Sequence, residues 1–150
     1  MSEPPKEPVK YVEATLRLPY HYVAGDYRAR YLLALKDKKI LGSKCSTTGK
    51  VFVPPLVASP ESFAPCEELV QVADRGVVTT FCIVRIPVIG RNVELPYVAA
   101  SVALDGADTA LAHVVKDDLE RLRVGARVEV VWAVERTGTI RDLECFRVTR

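Results

Sequence analysis

The sequence predicts a mainly β protein with one helix near its N-terminus, and three observations predict it. Residues 67–148 break into short apolar or β-branched runs separated by Asp, Gly, Asn and Pro, the pattern of a small β barrel or sandwich. The run from Asp26 to Lys39 holds neither Gly nor Pro and follows a Gly-Asp pair, as a helix start requires. Between them lies ILGSKCSTTGKVFVPPLVASPESFAPC, residues 40–66, in which two turn-forming clusters flank a short apolar stretch.

Residues 1–24 read as a tail and an extended arm. MSEPPKEPVK is dominated by Pro, Glu and Lys, a composition that buries too little apolar surface to order itself. From Lys10 to Tyr22 the apolar residues Val12, Ala14, Leu16 and Leu18 alternate loosely up to Pro19.

Residues 25–41 read as a docking helix, with Asp26 a suitable N-cap. At 3.6 residues per turn, Tyr27, Tyr31, Ala34 and Leu35 line one side, and Ala29, Leu32, Leu33 and Ile40 line roughly the other. A helix with two apolar faces is covered on both. The aliphatic face leads into Leu41 and is expected to turn inward. Tyr27, Tyr31 and Leu35, flanked by Arg28 and Arg30, are then the expected partner-binding surface, because Tyr and Arg dominate interface hot spots. The competing expectation is that the arm folds back over that face.

Residues 42–66 read as a zinc ribbon stripped of most of its ligands. A structural zinc site takes two short-spaced pairs of thiolates, each pair on a tight turn. Cys45 stands before such a turn, but Thr48 occupies the position of its mate. The second knuckle falls at Ser59-Pro60-Glu61-Ser62, where Ser59 and Ser62 replace both thiolates. Cys66 is the other thiol nearby, and two thiolates do not complete a tetrahedral site. A degenerate, rubredoxin-like ribbon without metal is expected, packed around Val51, Phe52, Val53 and Leu56.

Residues 67–150 read as a barrel. The stretch from Glu67 to Ile86 is β-like and is interrupted by a turn or bulge at Asp74-Arg75-Gly76. Gly90-Arg91-Asn92 marks a loop, Pro96 to Leu104 the second strand, and Leu111 to Val115 the third. Asp117 to Leu122 reads as a short helix, acidic at its start as the helix dipole favours. Arg127 to Trp132 and Thr139 to Val148 complete five strands. Three strands, a helix and two strands is the order of an OB-fold barrel; a different small barrel is the alternative.

A lone helix, a knuckle followed by GKVFVPP, a second knuckle, and then DRGVVTTFCIV, ELPYVAASVALDGAD and LRVGARVEVVW form a combined order. It resembles the zinc-ribbon/OB-fold family, formerly a domain of unknown function, whose members accompany thiolases and lipid-transfer-type acyl-CoA enzymes. The resemblance covers roughly residues 18–148. It implies a non-catalytic accessory subunit, hetero-oligomeric with a thiolase-like or lipid-transfer-type enzyme: a thiolase, acyltransferase or aldolase of lipid or steroid side-chain metabolism. Such a subunit would stabilise the enzyme and shape acyl-CoA access. Coenzyme A joins an anionic adenosine phosphate end to a neutral pantetheine arm. Lys44, Lys50, Arg75, Arg85 and Arg91 are the acyl-CoA-binding cations expected on that reading.

Composition and motifs limit the alternatives. A net charge of +2 is too small to argue for a nucleic-acid or membrane partner. Residues 61–120 carry four basic and ten acidic groups, which repel phosphates. The second strand offers only Tyr97 for base stacking, so a single-stranded nucleic-acid-binding OB-fold is the weaker reading. The N-terminal stretch has no apolar core for a signal peptide and no run suits a membrane helix, so a cytoplasmic protein with four reduced cysteines is expected. No Gly-rich phosphate loop or dinucleotide fingerprint is present, and no cofactor is expected. His21 and His113 are the only histidines; both are expected to be structural, leaving no catalytic residue. A small enzyme acting on acyl-CoA itself is the remaining alternative.

Overall fold

A computed structural model of the protein describes residues 14–87, 94–117 and 121–149. The expected tail, the Gly90-Arg91-Asn92 loop, and residues 118–120 of the expected helix at Asp117 to Leu122 lie outside the described residues. In chain order the elements are α1 (Asp26–Lys36), β1 (Ile40–Lys44), β2 (Val51–Phe52), β3 (Glu68–Val72), β4 (Arg75–Val84), β5 (Tyr97–Leu104), β6 (Ala110–Val115), β7 (Arg127–Trp132) and β8 (Leu143–Val148). A 3-10 turn, Ile140–Asp142, leads into β8 where the sequence reads as continuous strand.

Strands β4 to β8 close into a barrel in the order β4-β5-β6-β8-β7. Neighbours are antiparallel except β6 and β8, which meet in parallel at Val115 and Phe146. This is the OB-fold expected from the element order. Period-two alternation sorts the side chains: in β5, Val98, Ala100, Val102 and Leu104 are buried while Tyr97, Ala99, Ser101 and Ala103 are half-buried. Val78, Val102, Val128 and Phe146 sit fully buried at the barrel's centre. Gly76 is the closure point, where β4 pairs with β5 at Leu104 and with β7 at Val128.

The other sheet has the order β2-β1-β3. Its third strand lies beyond Cys66, the expected end of the ribbon. Residues 68–72 pair with β1 from Val72↔Ile40 to Glu68↔Lys44, so the change from sheet to barrel falls at Ala73-Asp74. The sheet and barrel are tied by hydrogen bonds to β2 and the residue after it. The Val51 N–H donates to Asp108 Oδ2 at 2.8 Å, the Asp108 N–H to the Val51 carbonyl at 2.8 Å, and the Val53 N–H to Thr109 Oγ1 at 2.7 Å. Asp142, 1 % exposed, anchors the turn before β8 by accepting from the Thr137 and Gly138 N–H groups at 3.0 and 2.8 Å. Burial pushes its pKa up, but those N–H groups and Thr139 outweigh it and hold the carboxyl below its ordinary range.

Helix α1 departs from expectation in three ways. Gly25, not Asp26, is the N-cap, and Asp26 is the first helical residue, paired with Arg30 at 3.0 Å. The helix ends at Lys36 instead of Lys39. Lys38 takes a left-handed φ of 58°, its N–H donates to the Leu35 carbonyl, and the Lys39 N–H reaches back to Ala34, each at 3.0 Å. That is a Schellman stop, with Lys in the position glycine favours. The faces also fail to divide as expected: Tyr31 and Leu35 are 2 % and 0 % exposed, Ile40 of the other group is 1 % exposed, and Leu33 is 63 % exposed. Residues four apart share a face, and Tyr31 and Leu35 share the protein's core cluster with Ile40, Val53 and Val72. Leu33, two residues from each, is carried to the opposite side.

Candidate functional site

The two knuckles are copies of one turn. In the first, the Cys45 N–H donates to the Lys50 carbonyl at 2.8 Å and the Cys45 carbonyl accepts from the Gly49 N–H at 3.0 Å. In the second, the Ser59 N–H donates to the Ala64 carbonyl at 2.9 Å and the Ser59 carbonyl accepts from the Phe63 N–H at 2.9 Å. The fifth residue of each is left-handed: Gly49 at φ 71° and Phe63 at φ 56°. A bulky side chain with positive φ is costly, yet Phe63 holds it while 85 % exposed. Ser59 Oγ accepts from the N–H groups of Glu61 and Ser62, each at 3.3 Å. Lys50 on one knuckle clamps Glu61 on the other, 2.7 Å to both carboxylate oxygens.

The donor set does not fit zinc. Of the four positions, Cys45 alone offers a thiolate, Thr48 accepts the Lys50 N–H at 3.3 Å, and Ser59 Oγ is taken up by its own turn. Structural zinc takes Cys, His or carboxylate ligands, and among the described residues no three His, Cys, Asp or Glu gather to hold a metal.

What the knuckles do assemble is sulfur and hydroxyl. Cys45 Sγ lies 3.4 Å from Thr47 Oγ1 and 3.6 Å from Ser62 Oγ, and those hydroxyls are 3.3 Å apart. Hydrogen bonds from Thr47, then Thr48 and Ser62, lower the Cys45 pKa to about 5 against the opposing effect of burial. Cys66 packs with Cys45 and Phe52 in a cluster separate from the main core. Burial first, then the charge and hydrogen bonding of Cys45, push the Cys66 thiol up. Sequence reasoning missed Thr47 and the role of Cys66. Their contacts depend on how the second loop folds over the first turn, which spacing does not show.

Three of the candidate acyl-CoA cations lie beside carboxylates. Lys50 is committed to Glu61, Lys44 lies 3.8 Å from Glu68, and Arg75 lies 3.8 Å from Asp105. Asp105 is held more closely by Arg127, at 2.8 and 2.5 Å. Arg85 is exposed just beyond the end of β4, and Arg91 lies outside the described residues.

A groove of about 610 Å³ runs over the outer face of β4, β5 and β6, lined by Thr80, Cys82, Tyr97, Ala99, Ser101 and Ala112 among others. Among the described residues, no charged side chain lines it. A solvated antiparallel face ordinarily alternates apolar-in with polar-out, so a floor of small neutral residues is unusual. His113 borders the groove but packs inward: Phe146 meets it edge-on with centroids 6.1 Å apart. Its Nδ1 accepts the Val114 N–H at 2.7 Å, and burial lowers its pKa despite backbone hydrogen bonds. His21, in the arm, is exposed.

Of the expected partner-binding residues, Tyr31 and Leu35 are corrected by their burial, since a core side chain reaches no partner. Tyr27 is half-buried, and Arg28 and Arg30 are exposed. Arg28 hydrogen-bonds the Tyr22 hydroxyl, which ties the arm to the helix. Ahead of that contact the arm exposes Leu16, Leu18 and Tyr20 at 81, 69 and 80 %, so it does not fold back over the helix. No helix among the described residues is long and apolar enough to cross a membrane.

Comparison with known proteins agrees with this architecture. Residues 69–133 match the family described as the ChsH2 C-terminal OB-fold domain. Among solved structures, a DUF35-family protein of unknown function from Sulfolobus solfataricus aligns over 83 % of this chain and 87 % of its own, with 22 % identity and a TM-score of 0.65. A chain of the Ltp2-ChsH2(DUF35) aldolase aligns over 81 % of this chain and 93 % of its own, with 21 % identity and a TM-score of 0.63. At that identity the two structures share a fold with this chain.

Proposed function

From the match of residues 69–133 to the ChsH2 C-terminal OB-fold domain family, we propose that this protein is a non-catalytic accessory subunit of a lipid-transfer-type or thiolase-like acyl-CoA enzyme. It stabilises that enzyme and shapes the approach of the acyl-CoA substrate. The family match carries the reading. The fold shared with a chain of an aldolase whose name joins two proteins, Ltp2 and ChsH2, supports it.

The chemistry on the surface agrees. A neutral, shallow groove suits a pantetheine arm, which carries no charge, or the apolar surface of a partner. Arg85 follows Val84, which pairs with Tyr97 at one end of the groove. Among the described candidate cations it is the one proposed to meet a phosphate there. Tyr27, Arg28 and Arg30 remain the helix residues proposed to touch the partner enzyme.

An acyl-CoA turnover assay tests this reading, using the thiolase-like or lipid-transfer-type enzyme from the same source with and without this protein. The protein alone is expected to turn over nothing, and its addition to raise and prolong the enzyme's activity. Arg85→Glu in the complex is expected to raise KM for acyl-CoA about tenfold, some 1.4 kcal/mol, with kcat unchanged. Turnover by this protein alone at the rate of the mixture would make it the enzyme. An unchanged KM would remove Arg85 from the path of the substrate.

A further inference from the structure

Two thiols that the accessory role leaves unused face each other beside the knuckles. We propose that Cys45 and Cys66 form a reversible dithiol–disulfide pair, a modification site oxidised by a peroxide. The Ser46 N–H donates to the Pro65 carbonyl at 3.1 Å, joining the chain after β1 to the chain before β3 in antiparallel fashion. The register of the β1–β3 ladder, which ends at Lys44↔Glu68, slips by one residue at Glu67. That slip sets Cys45 directly opposite Cys66. Opposed residues on antiparallel strands have Cα atoms about 4.5–5.5 Å apart, inside the roughly 4.4–6.8 Å that a disulfide spans. Both side chains turn to the same side, into the small cluster with Phe52.

The two sulfurs are shielded unequally. Cys45 is 1 % exposed and Cys66 0 %, but the hydroxyls touching Cys45 Sγ belong to Thr47 and Ser62, which are exposed. One layer of small side chains separates Cys45 from solvent. The same hydroxyls can donate to the sulfur as it acquires charge, which suits a nucleophile. Cys66, 0 % exposed, meets the buried Ser43 hydroxyl and the Ala64 carbonyl instead, and is placed as the resolving thiol.

The chemistry balances with hydrogen peroxide as oxidant. The Cys45 sulfur attacks one peroxide oxygen and the O–O bond breaks. Hydroxide leaves, takes the thiol proton and becomes water, while Cys45 becomes a sulfenic acid. The Cys66 sulfur then attacks the Cys45 sulfur, forming the S–S bond and expelling hydroxide, which takes the Cys66 proton. Two electrons pass from the sulfur pair to the peroxide, and the net products are a disulfide and two waters. The cross-link would close the seam between the knuckle loops, beside the position where a metal would hold them in a complete ribbon.

Peroxide treatment of the full chain, then denaturing alkylation and peptide mapping, tests the pair. The proposal expects a loss of two hydrogens in intact mass, a peptide cross-linked between Cys45 and Cys66, reversal by dithiothreitol, and a higher melting midpoint in the oxidised form. In Cys66→Ala the reaction should stop at a Cys45 sulfenic acid that dimedone traps, while exposed Cys82 marks background oxidation. Cys45 and Cys66 both remaining open to alkylation, or a disulfide through Cys82 or between chains, would overturn it. The wild-type result decides without the variant, so a misfolded Cys66→Ala does not blunt the test. The outcome is also independent of whether the accessory reading holds.

Discussion

Tyr31→Ala is expected to destabilise the isolated protein by about 3–5 kcal/mol, the cost of removing a buried aromatic ring and leaving a cavity. Tyr31 is 2 % exposed and belongs to the main core with Leu35 and Ile40. Its hydroxyl has no hydrogen-bond partner among the described residues, and burial raises its pKa to about 12. Tyr31→Phe keeps the ring and removes that unsatisfied oxygen, so it should be neutral or stabilising. Denaturant unfolding of the two variants separates these effects. A Tyr31→Ala protein as stable as wild type would return this face to the surface and restore it as a docking element.

A loss of about 3 kcal/mol or more is expected for Gly76→Ala, from a different cause. A Cβ built on Gly76 falls 2.1 Å from the Ala103 carbonyl oxygen and 2.8 Å from the Leu104 Cα. Those atoms are backbone on the paired strand, so relief requires β4 and β5 to separate at the point where the barrel closes. Gly42→Ala is the informative comparison. Its Cβ falls 2.6 Å from a methyl of Val51, and a side chain can rotate away. Gly76→Ala should shift the unfolding midpoint more than Gly42→Ala; the reverse order would show that the strand pair yields.

The barrel was legible because its strands follow period-two alternation and are bounded by turn residues. Four of the five strands lie within a residue or two of their expected ends, as Arg127–Trp132 shows. The fifth was read too early: residues from Thr139 show β-branched character, but the Asp142 carboxylate draws the Thr137 and Gly138 N–H groups into a turn first. The α1 faces were divided only in part: Tyr31 and Leu35 do share a side, but Ile40 from the other group is buried with them and Leu32 packs against the same core, while Leu33 is exposed. Periodicity says which residues share a side, and only tertiary packing says which side the core lies on. Sequence spacing also located both knuckles. It could not show that Ser59 Oγ is occupied by its own turn, or that Cys66 meets Cys45 across a slipped register, because both depend on the path of the chain from Val53 to Pro65. The cations named from the resemblance were read without their partners, and Glu61, Glu68 and Asp105 take up three of them.

Association with an acyl-CoA enzyme is read most plainly from mass in solution. Co-expression with a tagged thiolase-like or lipid-transfer-type enzyme from the same source, then size-exclusion chromatography with light scattering, measures that mass. The accessory reading predicts one co-eluting hetero-oligomer of fixed stoichiometry, weakened when Arg28 and Arg30 are both replaced by Glu while this protein stays folded. Separate elution of the two proteins, with the enzyme stable and fully active alone, would contradict it.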